Sequence, residues 1–234
     1  MTRNHTEIRY LTSTAGLVLV ALGIVLSIIS NLGTSPLSCP AYVLSLRLNP
    51  TVGEFTIMVN MLLLVIQIML LRKRFRAKYL LQIPATLLLG CFIDFWMMIF
   101  GDIHPDSIVM RLSLIVLSSM VTALGVSLEV ESRALILSAE MTVCALSIVT
   151  SKPFRRLKVT MDCLYVVIAA SLSAALFSNP FGAFRFTTLA DAVLSKSPGA
   201  LIGLGTVILA ILPGTMMRWS DILVARFFTA IKSL

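Results

Sequence analysis

Residues 21–45, ALGIVLSIISNLGTSPLSCPAYVLS, and residues 123–147, ALGVSLEVESRALILSAEMTVCALS, overlie without a gap when the chain is shifted by 102 positions. Ala21-Leu22-Gly23 falls on Ala123-Leu124-Gly125, Leu26 on Leu128, Ser30 on Ser132, and Leu44-Ser45 on Leu146-Ser147. Farther on, Asn60 falls on Asp162. Apolar bias alone gives fewer coincidences, so the chain reads as two copies of one unit. Each copy has the same order: a long apolar run, a short apolar hairpin, then two more long runs.

The surroundings of these two stretches decide the class. Of 234 residues, 58% are hydrophobic and 13% charged, and the mean hydropathy is +0.97. Soluble domains carry about 45–50% apolar and about 25% charged residues, so a soluble fold is excluded. The net charge of +8 does not point to nucleic acid, because the basic residues punctuate apolar runs instead of forming one solvated face. A membrane-spanning helix needs about 20 mostly apolar residues. Segments 11–30, 52–71, 79–101, 108–130, 160–178 and 199–217 qualify. The first is too long for a signal-peptide core and no A-x-A site follows it, so it reads as an uncleaved span. The stretch 36–46 is too short to cross and reads as a re-entrant hairpin within 31–50; 134–150 could be re-entrant or cross.

Charge orients the spans. RKRFRAK (72–78) carries five basic residues and KPFRRLK (152–158) four. Arg3 and Arg9 precede the first span, and Arg218, Arg226 and Lys232 follow the last. Six spans with both termini inside place all of these in the cytoplasm, as the positive-inside rule requires. A seventh crossing at 134–150 would send one basic loop outside. Three crossings per copy make the second copy run upside down. The expected architecture is therefore all-α: a first membrane repeat over 1–107, an inverted second repeat over 108–217, and a cytoplasmic amphipathic tail over 218–234. Inverted repeats with broken helices are how many secondary transporters build a midplane site.

The elements ALGIVLSIISNLGTSPLSCPAYVLS, PTVGEFTIMVNMLLLVIQIMLL, LLQIPATLLLGCFIDF and GTVILAILPG resemble the bacterial YczE/YitT-type inner-membrane proteins, over about Ala21 to Arg218. The resemblance implies a multi-pass protein of the bacterial cytoplasmic membrane with about six spans. It implies no activity and no catalytic residue. One departure is that the second-half counterpart of N-L-G-T-S-P is R-A-L-I-L-S, without Gly or Pro.

Candidate site residues follow from what a membrane tolerates. In Asn31-Leu32-Gly33-Thr34-Ser35-Pro36, Gly33 permits an unusual turn, and Thr34 or Ser35 can cap a helix starting at Pro36. Such a half-helix can receive a polar solute, or it can be a capped hairpin without a ligand. Glu129 and Arg133 are spaced to pair on one helix face, while Glu131 points elsewhere. Glu129 and Glu140 lie deepest in apolar sequence, where carboxylates commonly mark substrate or ion paths. The alternative places them at the cytoplasmic interface. Asn31, Thr34, Ser35, Ser38, Glu129, Arg133 and Glu140 are therefore the candidate substrate-binding set. Asp94, Asp162 and Asn60 are proton-coupling candidates. Asp94 is equally readable as a hydrogen-bonded structural carboxyl, and Asp162 as an N-terminal carboxylate favoured by the helix dipole.

No G-x-S-x-G, H-E-x-x-H, phosphate loop or nucleotide fingerprint occurs, so no enzyme activity, catalytic residue, cofactor or metal is expected. Cys39, Cys91, Cys144 and Cys163 have no paired spacing and read as small packed hydrophobes. Gly199-x-x-x-Gly203-x-Gly205 could pack internally or between two copies as a homodimer contact. The leading functional expectation is a small polar or zwitterionic solute transporter working by alternating access, with the lipid bilayer its other partner. The alternatives are a substrate-capture subunit of an ATP-driven importer and a non-transporting scaffold, regulator or assembly factor. Single-cysteine labelling in a Cys-free background tests the orientation. Positions 72–78 and 152–158 should label from the cytoplasmic side and 102–107 from outside; external labelling of position 155 would overturn the inverted arrangement.

Overall fold

A computed structural model describes residues 3–105, 107–132 and 137–176, together with Thr206 and Leu209. Among these residues the chain forms seven α-helices and no strand. They are α1 (Arg3–Ile29), α2 (Cys39–Ser45), α3 (Val52–Leu71), α4 (Gln82–Phe100), α5 (Ile108–Ser132), α6 (Ser138–Thr150) and α7 (Phe154–Leu176). Among the described residues, four stretches are long and apolar enough to cross a membrane: Glu7–Ile29, Val52–Arg74, Ala77–Phe100 and Ile108–Ser132. The expected sixth span apart from Thr206 and Leu209, the tail 218–234, Arg133, Gly199 and Gly203 lie outside the described residues.

Local chemistry sets the helix ends. Thr51 caps α3 by accepting from the Glu54 N–H, while the Glu54 side chain accepts from the Thr51 N–H at 2.9 Å, a reciprocal capping box. Asn31, at φ 54°, takes the left-handed turn that ends α1. The chain between α3 and α4 coils into two 3-10 turns, Arg72–Arg74 and Ala77–Leu81, which keep its cations exposed. Two expected boundaries move. α1 extends back to Arg3 and places Arg9 on the helix. α7 begins at Phe154, so Arg155, Arg156 and Lys158 occupy its first two turns and not a loop. Pro153 immediately precedes it, where its missing N–H costs nothing.

The centre of the bundle is the crossing of α1 and α5. Arg9 Nε donates to the Ser132 carbonyl at 2.7 Å. A Cβ on Gly16 would stand 2.8 Å from the Gly125 carbonyl, and one on Gly125 2.7 Å from the Gly16 carbonyl. Ser118 Oγ donates to the Gly23 carbonyl at 2.7 Å. Each seven-residue step forward along α1, from Arg9 to Gly16 to Gly23, meets a seven-residue step back along α5. The helices are therefore antiparallel and their backbones touch, as small residues allow in a membrane. On the other side of α1, Trp96 Nε1 of α4 donates to the Val18 carbonyl at 3.3 Å. Around this crossing α3 packs on α4 and α6, α2 on α3 and α7, and α6 on α7.

Polarity is turned inward. Along α3, Met58, Leu62, Val65 and Met69 are exposed, whereas Thr56, Asn60 and Gln67 are buried. A helix in water would show the opposite pattern; in lipid the apolar face is the solvated one. Gln67 Nε2 donates to the Ser138 carbonyl at 2.9 Å and to Thr142 Oγ1 at 3.0 Å, and Gln82 Nε2 donates to Gln67 Oε1 at 3.1 Å, which ties α3, α4 and α6 together. Gly125→Val should lower stability by about 1–3 kcal/mol through overpacking of the α1–α5 crossing, read as a lower melting temperature of the protein in detergent.

Candidate functional site

Asn60 stands on the inward stripe Thr56, Asn60, Leu63 and Gln67 of α3, whose spacing of four, three and four follows one helix face. Its Nδ2 donates to the Thr56 carbonyl at 2.9 Å, yet its Oδ1 is buried with no partner. The matching positions on α7 under the 102-residue shift are Lys158 and Asp162, which form an ion pair at 3.1 Å. An i,i+4 contact thus recurs, from a side chain to a backbone carbonyl on α3 and between charged side chains on α7. Asp162 lies in the third turn of α7, beyond reach of the helix dipole, so the dipole reading of this residue does not hold.

Glu140 stands in the first turn of α6, next to Ala139. Glu140 Oε2, Glu129 Oε1 and the Tyr165 hydroxyl are all buried without a hydrogen-bond partner. Apolar residues frame this place: Leu63, Ala139 and Tyr165 form one buried cluster, with Leu37, Val59 and Met161 against it. These six are three pairs under the 102-residue shift: Leu37 with Ala139, Val59 with Met161, and Leu63 with Tyr165. The cluster therefore sits where equivalent parts of the two halves meet.

The first-half candidates are arranged differently from expectation. Gly33 takes φ 122°, the turn only glycine enters freely. Helix α2 starts at Cys39, not Pro36; Ser38 is its N-cap, without a side-chain cap bond. The hydroxyls of Thr34, Ser35 and Ser38 are engaged locally: Thr34 Oγ1 pairs with Ser27 Oγ at 2.9 Å, and Ser35 Oγ with Ser38 Oγ at 3.0 Å. Leu32 clusters with Ile115, near the start of α5. Glu129 lies fourteen residues farther along α5, about 21 Å away at the helical rise. The expected joining of the whole of Asn31–Cys39 with Glu129–Glu140 is thus corrected. Among the described residues, Leu37 of the first segment and Ala139 of the second reach a common cluster. The cause is the antiparallel α1–α5 register, which sends the two helix ends to opposite sides.

Asp94 has its partners on another helix. Oδ2 accepts from Thr51 Oγ1 at 2.7 Å and Oδ1 from the Gly53 N–H at 2.9 Å. It thereby fastens the α3 N-terminus to α4, the geometry of a structural carboxyl. Lys158 and Tyr165 are site residues that the sequence did not single out. The alignment of Asn60 with Asp162 could have found them, since Lys158 and Tyr165 flank Asp162 by one turn on either side. No group of three or more His, Cys, Asp or Glu able to hold a metal occurs among the described residues.

Lipid-facing apolar surfaces around a polar interior define an integral membrane protein built of helices. The chain belongs to a family of unknown function, DUF6198, whose profile matches residues 8–221. It is similar to the uncharacterized protein YyaS of Bacillus subtilis (strain 168), with 25% identity over 221 residues covering 94% of this chain and 96% of that one. No solved structure matches it. The YczE/YitT name appears in neither comparison; what is shared with that resemblance is a bacterial relative without an assigned activity. Asp94→Ala should destabilise the protein by about 1–3 kcal/mol, through two stranded donors at the α3 N-terminus. Asp94→Asn, which keeps one acceptor oxygen, should lose less; equal melting temperatures for Asp94→Ala and wild type would contradict this anchoring role.

Proposed function

We propose that this protein carries a small polar solute across the bacterial cytoplasmic membrane, by alternating access between two inverted halves of three spans each, with both termini in the cytoplasm. The observation that carries this reading is the cluster of three repeat-related pairs, on and beside whose members the Tyr165 hydroxyl, Asn60 Oδ1 and Glu140 Oε2 are buried without a protein partner. Such groups are costly in a membrane interior unless a ligand or water completes them.

Three features support the inverted relation. Helices α1, α2 and α3, shifted by 102 residues, fall on α5, α6 and α7. Exchanging the halves turns the contact of Gly16 with Gly125 into that of Ser118 with Gly23, and both are present. The same exchange turns the packing of α2 on α7 into that of α6 on α3, and both are again present. A two-fold axis lying across antiparallel α1 and α5 runs in the membrane plane, the arrangement found in transporters with inverted repeats. The contact between halves is then a pivot about which one can rock.

Reconstituted into liposomes, the protein should take up one or more members of a metabolite library selected by thermal shift. Asn60→Leu removes a buried, unpaired oxygen while keeping the volume of the side chain. It should cut uptake at least about tenfold, or 1.4 kcal/mol, and leave stability unchanged or raised. Uptake at the wild-type rate in Asn60→Leu would remove the site from the axis. Absence of uptake for every library member that binds would favour a non-transporting scaffold or regulator.

A further inference from the structure

The connection between α3 and α4 joins two candidate spans, Val52–Arg74 and Ala77–Phe100, with only Phe75 and Arg76 between them. Its side chains therefore sit where the bilayer meets water. Arg72, Lys73, Arg74, Arg76 and Lys78 are all exposed, and from Phe55 to Ile93 the sequence holds no Asp or Glu. Among the described residues none of these five cations forms an ion pair, whereas Lys158 of the second basic segment closes on Asp162 at 3.1 Å. Like charges this close repel one another. The chain nevertheless gathers them into two 3-10 turns, closed by the Phe75 N–H on the Arg72 carbonyl at 3.1 Å and the Tyr79 N–H on the Arg76 carbonyl at 2.9 Å.

Apolar groups fix the depth of this segment. Met69 is 69% exposed, Leu80 44% and Leu81 39%, so lipid-facing side chains flank the cations on both sides. The Phe75 and Tyr79 rings meet edge to face with centroids 5.5 Å apart, and Lys78 Nζ stands 5.6 Å from the Tyr79 ring centre. Aromatic rings at the ends of spans settle at headgroup level. The cations between and beside these rings are thereby held level with lipid phosphates.

We propose that residues 72–78 form a binding surface for anionic phospholipid, whose phosphates pair with Arg72, Lys73, Arg74, Arg76 and Lys78 and whose acyl chains lie against Leu80 and Leu81. Guanidinium and ammonium groups donate charge-assisted hydrogen bonds to phosphate oxygens. Each cation near an anionic membrane surface strengthens attachment about fivefold. Free phosphate brings the charge but nothing to cover the exposed leucines. An acidic protein would have to reach cations that the neighbouring apolar side chains hold at the lipid boundary. The surface serves the protein whether or not it carries a solute.

The test uses the full-length protein in nanodiscs of phosphatidylcholine alone or mixed with phosphatidylglycerol, read by melting temperature and by native mass spectrometry of retained lipid. Wild type should retain phosphatidylglycerol in preference to phosphatidylcholine and melt higher in the mixture, with both effects fading in high salt. Replacing all five cations by Gln should cut the preference at least about tenfold, and Lys78→Gln alone about fivefold, with melting temperatures in phosphatidylcholine equal to wild type. Lys78→Gln keeps the comparison decisive if the fivefold variant does not fold. The control Lys152→Gln/Arg156→Gln, in the second basic segment, should keep the preference. Inorganic phosphate at constant ionic strength should not reproduce the rise in melting temperature; an equal rise would overturn the lipid assignment in favour of a soluble anion. Equal retention of the two lipids by wild type would overturn it too, and would leave the cations to an acidic protein. An undiminished preference in folded protein lacking the five cations, or its loss in the control alone, would place the lipid elsewhere and contradict the proposal.

Discussion

The crossing of α1 and α5 is the contact on which the other helices depend. Lipid provides no hydrophobic drive for helices to associate, so association rests on close packing and on hydrogen bonds between them. Gly16, Gly23, Gly125 and Ser118 let the two backbones touch at intervals of seven residues, and the Arg9–Ser132 contact extends the same register by another seven. Seven residues are about two helical turns, so the contacts stay on one seam. Because this seam is antiparallel, Asn31 and Glu129 go to opposite sides, and the two halves meet again where Leu37, Val59 and Leu63 pack with Ala139, Met161 and Tyr165.

Buried polar groups in the bundle are of two kinds, those that join helices and those left without a partner. The Gln67–Gln82–Thr142 network and the Asp94–Thr51–Gly53 contacts complete the hydrogen-bonding capacity of their main groups and act as fasteners. Among the atoms left without partners, the Tyr165 hydroxyl belongs to the cluster of repeat-related pairs, and Asn60 and Glu140 follow its members Val59 and Ala139 in the chain; others are on Thr86, Glu129, Ser173 and Thr206. Satisfied polar groups in a membrane hold helices together; unsatisfied ones in one place are poised for a ligand. The contrast between fasteners and open acceptors separates scaffold from site within one chain.

Much of this was legible in the sequence, for physical reasons that differ between features. Hydropathy marked α1, α3, α4 and α5, because lipid demands long apolar runs. The 102-residue shift found Gly23 with Gly125 and Asn60 with Asp162, because the positions where two halves meet tolerate few residue types. The α7 start and the three-residue delay of α2 were not legible, since Pro36 and Pro153 permit a helix nearby without fixing its first residue. The convergence of Ala139 with Tyr165, and the separation of Asn31 from Glu129, are set by how helices pack across the two halves, not by local sequence. Pairing equivalent segments by the shift alone does not say which ends of them meet. The donor sets of Thr34, Ser35 and Ser38 looked available in sequence because their mutual hydrogen bonds arise from the turn at Gly33.

Water access at the centre is the most direct measure of alternating exposure. In a background freed of Cys39, Cys91, Cys144 and Cys163, the Ala139→Cys side chain would stand beside Leu63 and Tyr165 at the axis. Two halves rocking about this place predict that a membrane-impermeant thiol reagent modifies Cys at 139 when added to either side of the membrane, and that a bound solute slows both reactions. A thiol there that stays unreactive from both sides, in folded protein whose loop cysteines label normally, would contradict alternating access and leave a sealed helical core.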